Sequence, residues 1–394
     1  MKSKNITRLL VVLAGIVLVA STLRAPITSV GPVITEITDQ LVLSHVLVGL
    51  VTAIPLISFA VLSVFVPKAA RKIGLERLLL YSMLVLALGS YARSYGNVPL
   101  LFLGAGMIGA AITIGNVLMP AFIKKKFPEK VGLITGIYLV SMNLTSALAA
   151  GFSINIGQAT GMGWKTSIGV WGLLALIAFF VWLPQVGEKV QHVQPGTAYG
   201  TKKGSAWRSS LAWNVSVFMG LQSFLFYSFA AWLPTVLLSW GMSYERSGWM
   251  LSYIQMAQLP IMLIGPILAG KMKDQSPLVW FTFVLLLLGI GGVIFGKTDY
   301  IIISVILLGI SLGLAFTLAT MFFVLRTKNI LEAADLSGMA QSVGYWLAAC
   351  GPPAFGALYE ITGTWYASLG MLVVAIVLLF ITGLASAKDR YVHD

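Results

Sequence analysis

The chain has 394 residues, of which 58% are hydrophobic and only 10% are charged, whereas a typical soluble domain is about 25% charged. It carries a formal net charge of +13 at pH 7, a single cysteine and three scattered histidines. These numbers exclude a soluble globular protein, an intrachain disulfide and a metal site built on cysteines, and they predict an integral membrane protein without a cofactor.

Twelve apolar segments follow one another along the chain, and each is long enough to cross a bilayer, which takes about 20 residues. A polar stretch rich in Gly, Lys, Gln and Ser separates the first six from the last six, and such a stretch is typical of a flexible linker. We therefore predict an all-α membrane protein with a six-helix bundle over 1–184, a cytoplasmic linker over 185–210 and a second six-helix bundle over 211–394. The predicted segments are 8–31, 44–66, 76–95, 98–120, 131–156, 164–184, 211–239, 247–270, 277–296, 300–324, 333–358 and 364–386.

The basic residues are distributed unevenly between the two sides of the membrane. With the N-terminus inside, 21 of the 26 Lys and Arg residues lie on the inner side, and Arg24 lies within the first segment. Cytoplasmic loops retain Lys and Arg, so we predict that both termini are cytoplasmic and that the positive charge is a topology signal rather than a nucleic-acid surface. The four basic residues assigned to the outer connections are Arg93, Lys165, Arg246 and Lys297.

Arg24 is the only formal charge well inside an apolar segment, near the outer end of the first. A central arginine costs about 2.5 to 3.5 kcal/mol on insertion scales, so it typically faces a wet cavity, a partner or an anionic ligand. Ser21 and Thr28 share its helical face, and Pro26 removes a backbone donor just beyond it, which predicts a bend. The residue indicates a cationic binding point, with snorkelling to the outer interface or a structural pair as the alternative.

Other polar side chains in the segments could line a central cavity. Their alternative role is to hold helices together by hydrogen bonds worth about 0.6 kcal/mol on average. Tyr138, Tyr227 and Trp346 are interpreted as packing or interface aromatics, with ligand stacking as the alternative. No Asp or Glu lies deep in a segment to relay protons. The predicted substrate-binding set is Arg24, Thr28, Asn116, Asn143, Gln222, Tyr227, Gln255, Gln341 and Tyr345.

The two halves of the chain echo each other. Thr135-Gly136 and Ser337-Gly338 are offset by 202 residues, as are Lys124 and Arg326. Halves repeated about an axis along the membrane normal are one way in which secondary carriers are built, with the substrate held between them near the midplane.

Distinctive motifs lie along nearly the whole chain, beginning with the run Leu23 to Pro32. The others are Leu50 to Pro55, Gly115 to Pro120 running to Phe127-Pro128, Gly132 to Gly136 with Tyr138, Met142 and Asn143, Gly220 to Ser223 with Tyr227, Ala231 to Pro234, Leu336 to Tyr345 and Gly351-Pro352. Together they resemble the cyanate permease and nitroimidazole transporter branch of the major facilitator superfamily. One departure is that the superfamily's usual acid is missing from the basic loop Pro67 to Gly74.

The resemblance implies the major facilitator fold, with twelve transmembrane helices in two pseudo-symmetric six-helix bundles. It also implies a monomeric multi-pass protein of a bacterial plasma membrane, surrounded by lipid. Its implied function is secondary active or facilitative transport of a small anionic or polar solute such as cyanate, by alternating access. The alternatives are export of neutral aromatic drugs such as 2-nitroimidazoles and a receptor or scaffold that transports nothing. The sequence contains neither a catalytic triad context nor a Walker motif, so we do not expect an enzyme or an ATP-driven pump.

Overall fold

The computed structural model describes residues 2–43, 45–186, 206–296 and 300–392, and over these ranges the regular secondary structure is entirely helical. The predicted all-α architecture is therefore confirmed. By contacts between Cα atoms the chain divides into two compact units, residues 1–126 with 137–201 and residues 127–136 with 202–394. The predicted linker over 185–210 lies for the most part outside the described residues.

The helices coincide with the predicted segments. Among the described residues, ten are long and apolar enough to cross a membrane, or eleven if one bent pair counts as a span. The α-helices of the first half of the chain, long and short, are α1 (Lys2–Thr22), α2 (Ala25–Thr28), α3 (Ile34–Leu41), α4 (His45–Leu62), α5 (Val66–Ile73), α6 (Leu75–Arg93), α7 (Val98–Lys126), α8 (Val131–Thr160) and α9 (Trp164–Val186). In the second half they are α10 (Ser210–Ser239), α11 (Tyr244–Lys271), α12 (Ser276–Gly296), α13 (Ile301–Leu325), α14 (Ile330–Thr362) and α15 (Trp365–Ala387).

The first apolar span is broken twice. Helix α1 ends at Thr22, the single-turn helix α2 begins after Arg24, and a further turn at Ser29 and Val30 precedes a short 3-10 helix. Pro26 lies in the first turn of α2, where its missing N–H costs no helical hydrogen bond. The helix is interrupted at Leu23 and Arg24, just before this proline, so Arg24 lies at a helix end rather than within a continuous helix.

The second span is bent, and the sequence did not predict this. The segment Ile54–Leu62 meets α5 at an angle of 65°. Helix α5 buries Val66, Pro67 and Ala70, whereas Lys68, Arg71 and Lys72 are exposed. The basic run expected to be a loop is therefore a short amphipathic helix.

Helix α3 is tied to the beginning of α9 by a compact hydrogen-bond network. The backbone N–H of Trp164 donates to Oε1 of Glu36 at 3.3 Å, and the indole N–H of Trp164 donates to Oε1 of Gln40 at 2.8 Å. The amide of Gln40 also donates to Glu36 at 3.2 Å. Gly163 adopts a positive φ of 57°, and a Cβ at that position would overlap the Glu36 carboxylate.

The C-terminal segment is held by Arg326, which follows α13 and is only 1% exposed. Its Nε donates to the carbonyl of Ser386 at 2.8 Å and one terminal nitrogen donates to the carbonyl of Ala387 at 2.6 Å. The same nitrogen contacts Oε1 of Gln275, and the other terminal nitrogen lies 3.8 Å from Asp389. Arg326 therefore joins three separate parts of the second unit.

Helices α6 and α7 approach closely at glycines, and this gives a matched pair of substitutions. A Cβ on Gly104 would lie 2.5 Å from the carbonyl oxygen of Gly89, whereas a Cβ on Gly106 would meet only Ile54, at 4.0 Å. Because backbone atoms block the first position, we expect Gly104→Ala to lower the free energy of unfolding by about 1 to 3 kcal/mol. Gly106→Ala should leave the melting temperature in detergent unchanged or slightly raised. Equal melting temperatures for the two variants would contradict this packing.

Candidate functional site

A polar cluster forms in the first unit around Arg24. One terminal nitrogen of its guanidinium donates to Oδ1 of Asn143 at 2.7 Å. The Asn143 amide nitrogen donates in turn to the carbonyl of Leu139 at 2.8 Å, which directs Oδ1 toward Arg24. Asn143 is neutral, so this bond orients the guanidinium without neutralising its charge.

Thr28 and Ser146 extend this cluster by one helical turn. The Thr28 hydroxyl lies 3.0 Å from the carbonyl oxygen of Ser146, and the Ser146 hydroxyl lies 3.3 Å from that of Thr28. Ser146 is three residues beyond Asn143 on α8, so the two share a helical face. Ser146 was missed in the sequence, although its spacing from Asn143 could have indicated it.

Tyr138 brings α7 into the same cluster. Its hydroxyl donates to Oδ1 of Asn116 at 3.4 Å, and it lies within Coulombic range of the Arg24 charge. Tyr138 is 3% exposed. Its interpretation as a packing aromatic was therefore incomplete, because its hydroxyl belongs to the polar cluster.

The packing of the end of α1 against α7 fixes the position of Arg24 along the first span. The preceding residue, Leu23, is fully buried, and its side chain occupies the space that a Cβ on Gly115 would need. Asn116 follows Gly115 directly, so it lies on the turn of α7 that the Leu23 side chain contacts. The result is a half-buried cation bordered by an amide, hydroxyls and a phenol, groups that could recognise a small polar anion.

In the second unit, the structure brings the α10 and α14 candidates close together. Gly220 packs on Gly344, and Trp232 packs on Gly356, so the two helices run parallel. By this register Gln222 lies opposite Trp346, one residue beyond Tyr345, with Gln341 about one turn before Tyr345 on α14.

The amides of both glutamines are bound within their own helices. Gln222 donates to the Ser223 hydroxyl at 2.6 Å, and Gln341 donates to the Ser337 hydroxyl at 2.9 Å. Each of the two glutamines is 3% exposed. These contacts correspond to the alternative role of helix stabilisation, which the sequence left open.

The remaining two candidates of this unit are Tyr227 on α10 and Gln255 on α11. Tyr227 is half-buried, with its ring 5.4 Å from that of Phe226. Gln255 is exposed, whereas Gln258, one turn further along α11, is 5% exposed and its amide nitrogen has no hydrogen-bond partner. Gln258 is thus the more deeply placed amide of α11.

A separate cavity of about 770 Å³ lies in the first unit beside the α3 network. Its lining mixes polar and apolar residues and includes none of the nine predicted substrate-binding residues. The lining residues are Pro32, Val33, Glu36, Gln40, Gly157, Gln158, Gly161, Met162, Gly163, Lys165 and Ser167.

Arg93 was assigned from the sequence to an outer connection, but it does not lie in an exposed connection. It is the last residue of α6 and is only 2% exposed. The aliphatic stem packs against α7 where Gly104 leaves room. The sequence placed it at the end of an apolar segment, which could not distinguish a solvated arginine from a buried one.

Comparisons of this chain with known proteins all point to one family of transporters. The model of the Major Facilitator Superfamily matches residues 12–349. Transporter YycB of Bacillus subtilis (strain 168) is 41% identical over 386 residues, covering 97% of this chain and 94% of that protein. The 2-nitroimidazole transporter of Escherichia coli (strain K12) is 34% identical, covering 98% and 97% of the two chains. The cyanate transport protein CynX of the same organism is 26% identical, covering 95% and 97%.

Solved structures give the same fold. The proton:xylose symporter XylE aligns with a TM-score of 0.75 at 12% identity, over 98% of this chain and 97% of that chain. The likeness extends over both halves of the chain and so covers all twelve predicted segments.

Proposed function

We propose that this chain, which belongs to the Major Facilitator Superfamily, is a secondary carrier of a small anionic or strongly polar solute. Its similarity to the 2-nitroimidazole and cyanate transporters confirms the predicted branch of that superfamily. The chain is a multi-pass membrane transporter. The solute and the role of each binding residue belong to the proposal.

The observation that carries the proposal is the hydrogen bond from Arg24 to Asn143 beside a break in the first span. A guanidinium bonded to a neutral amide keeps its charge, and it carries several N–H donors in a fixed fork that suits an anion. Because the membrane interior penalises a charge, an anion that binds there gains more than it would in water. Thr28, Asn116 and Tyr138 would supply the neutral hydrogen bonds around it.

In this proposal the two bundles, 1–184 and 211–394, rock around a shared site to give alternating access. Gln222, Tyr227, Gln255, Gln341 and Tyr345 are the proposed contributions of the second bundle. The excess of Lys and Arg on the inner side supports cytoplasmic termini in a plasma membrane, and relatives from Bacillus subtilis and Escherichia coli support a bacterial one. We expect the carrier to act as a monomer.

One observation favours a second candidate, the export of neutral aromatic compounds. The 2-nitroimidazole transporter is 34% identical to this chain, whereas the cyanate transporter is 26% identical. A nitro group accepts hydrogen bonds without carrying a full charge, so a carrier of such compounds would depend less on the charge of Arg24.

Asn143→Asp tests the anion proposal. A carboxylate in place of the amide would pair with Arg24 and repel an incoming anion, so we expect uptake of labelled cyanate into proteoliposomes to fall at least about tenfold. Asn155→Asp, an exposed position on the same helix, is the matched control and should transport normally. Unchanged cyanate uptake by Asn143→Asp would overturn the anion proposal, and transport of 2-nitroimidazole but not cyanate by the wild-type protein would favour the second candidate.

A further inference from the structure

Helix α5 carries a row of exposed basic side chains on the side opposite its buried one. At 3.6 residues per turn, Lys68, Arg71 and Lys72 lie within an arc of about 100°, and the buried Val66 and Ala70 lie on the other side of the helix. All three basic side chains are exposed. These three residues are called the basic stripe below.

A stripe of apolar side chains adjoins the basic stripe. Phe65 is 57% exposed and Ile73 is 39% exposed, with the half-buried Ala69 between them. The N–H of Ala69 donates to the carbonyl of Phe65 at 3.0 Å, so Phe65 continues the helical register, and the three residues recur every four positions along one side. The Nζ of Lys68 lies 6.0 Å from the centre of the Phe65 ring. The apolar and basic stripes are therefore contiguous.

The bend that precedes α5 turns this helix toward the membrane plane. The segment Ile54–Leu62 meets α5 at 65°, whereas transmembrane helices tilt by only about 20° from the membrane normal on average. Helix α5 packs against α6 and α7 and ends at Gly74, which has a φ of 92°. An inclined helix with an exposed apolar side next to lysines is typical of helices in the headgroup region of a membrane.

The charge of the basic stripe is not offset by acids on the same helix. Helix α5 contains none, and Glu76, the next acidic residue along the chain, pairs with Lys125 of α7 at 2.6 Å. In the ranges that the structure describes, Lys68 and Lys72 form no ion pair. Arg77, exposed near the beginning of α6, adds a further positive charge. The basic stripe thus favours an anionic partner, and the apolar stripe favours a partner that also supplies acyl chains.

We propose that α5 is an interfacial helix that binds an anionic phospholipid, such as phosphatidylglycerol, at the inner membrane surface predicted for this end of the first unit. The basic stripe would contact the lipid phosphate, while Phe65 and Ile73 would enter the boundary with the acyl chains. The basic run therefore has a function beyond setting the topology. The lipid site is separate from the Arg24 cluster and does not depend on the proposed transport function.

Lipid-dependent thermal unfolding of the full-length purified protein tests this proposal. Titration of phosphatidylglycerol into the detergent-solubilised protein should raise the melting temperature in a saturable manner, and phosphatidylcholine should raise it less. Each lysine near an anionic lipid surface contributes about fivefold in affinity. A variant with both Lys68→Gln and Lys72→Gln should therefore need about 30-fold more phosphatidylglycerol for half-saturation. Phe65→Ser should weaken the response as well, because it removes the largest apolar contact with the lipid.

Matched controls separate α5 from other exposed residues of the same types. A variant with both Lys271→Gln and Lys273→Gln removes two exposed lysines at the end of α11, and Phe295→Ser removes an exposed phenylalanine of α12. Both should retain the wild-type lipid response. Arg24→Gln should also retain it, which distinguishes failure of this proposal from failure of the transport proposal.

Three results would overturn the lipid site. The first is equal stabilisation of the wild-type protein by phosphatidylglycerol and phosphatidylcholine. The second is wild-type half-saturation in the double lysine variant of α5. The third is equal stabilisation by inorganic phosphate at the same concentration, which would indicate a site for soluble anions rather than a membrane contact.

Discussion

Replacing Arg24 by glutamine is expected to lower the transport efficiency for a small anion by roughly 100-fold. Removing one partner of a buried, hydrogen-bonded charge contact costs about 2 to 5 kcal/mol of binding, and each 1.4 kcal/mol is a factor of ten. Glutamine can still donate to Asn143, so the cluster should remain assembled while its charge is lost. Initial rates of anion uptake into proteoliposomes over a range of concentrations give the measurement.

The control for this variant is Arg246→Gln, which removes an exposed arginine of α11. It should insert, purify and transport like the wild-type protein. Uptake kinetics of Arg24→Gln that match those of Arg246→Gln would show that the Arg24 charge does not bind the solute. If Arg24→Gln loses anion transport but retains 2-nitroimidazole transport, the carrier accepts both classes of solute through different contacts.

Replacing Arg326 by alanine is expected to destabilise the second unit strongly. The substitution leaves the carbonyls of Ser386 and Ala387 and the Gln275 amide oxygen without their buried donor. Removing one partner from a buried charged network costs about 3 to 5 kcal/mol. We therefore expect a large drop in the melting temperature of the purified protein, measured in detergent.

Arg390→Ala provides the comparison, because Arg390 is an exposed arginine in the segment that Arg326 holds. It should melt like the wild-type protein. Arg326→Lys should lie between the two, since lysine keeps the charge but cannot donate to several acceptors in the fixed geometry of a guanidinium. Equal melting temperatures for Arg326→Ala and Arg390→Ala would contradict the role assigned to Arg326.

Hydropathy was sufficient to find the transmembrane segments, because burial in lipid requires long apolar helices whatever their partners. The sequence also indicated a disturbance of the first span near Pro26, and the helix is interrupted at Leu23 and Arg24, with the proline in the first turn of the next helix. The 65° bend between α4 and α5 was not, because it depends on how Val66, Pro67 and Ala70 pack. Segment composition does not specify the direction in which a helix leaves the membrane.

The site could be predicted only in part. Arg24 stood out because a charge in an apolar segment is rare, and the structure adds Asn143 as its neighbour. The hydrogen bond from Tyr138 to Asn116 was not predicted, because the sequence does not show which way a phenol hydroxyl points. Arg93 was assigned to a loop, because an arginine at a segment end has the same local sequence whether its head reaches solvent or remains buried.

The contact between Glu36 and Gly163 has an evolutionary consequence. Because any side chain at position 163 would occupy the space of the Glu36 carboxylate, the two positions are free to change only together. Across descendants of this gene, a residue larger than glycine at 163 should therefore coincide with a shorter or neutral residue at 36. The backbone N–H of residue 164 would then need a new acceptor. The connection between α3 and the beginning of α9 would require different hydrogen bonds.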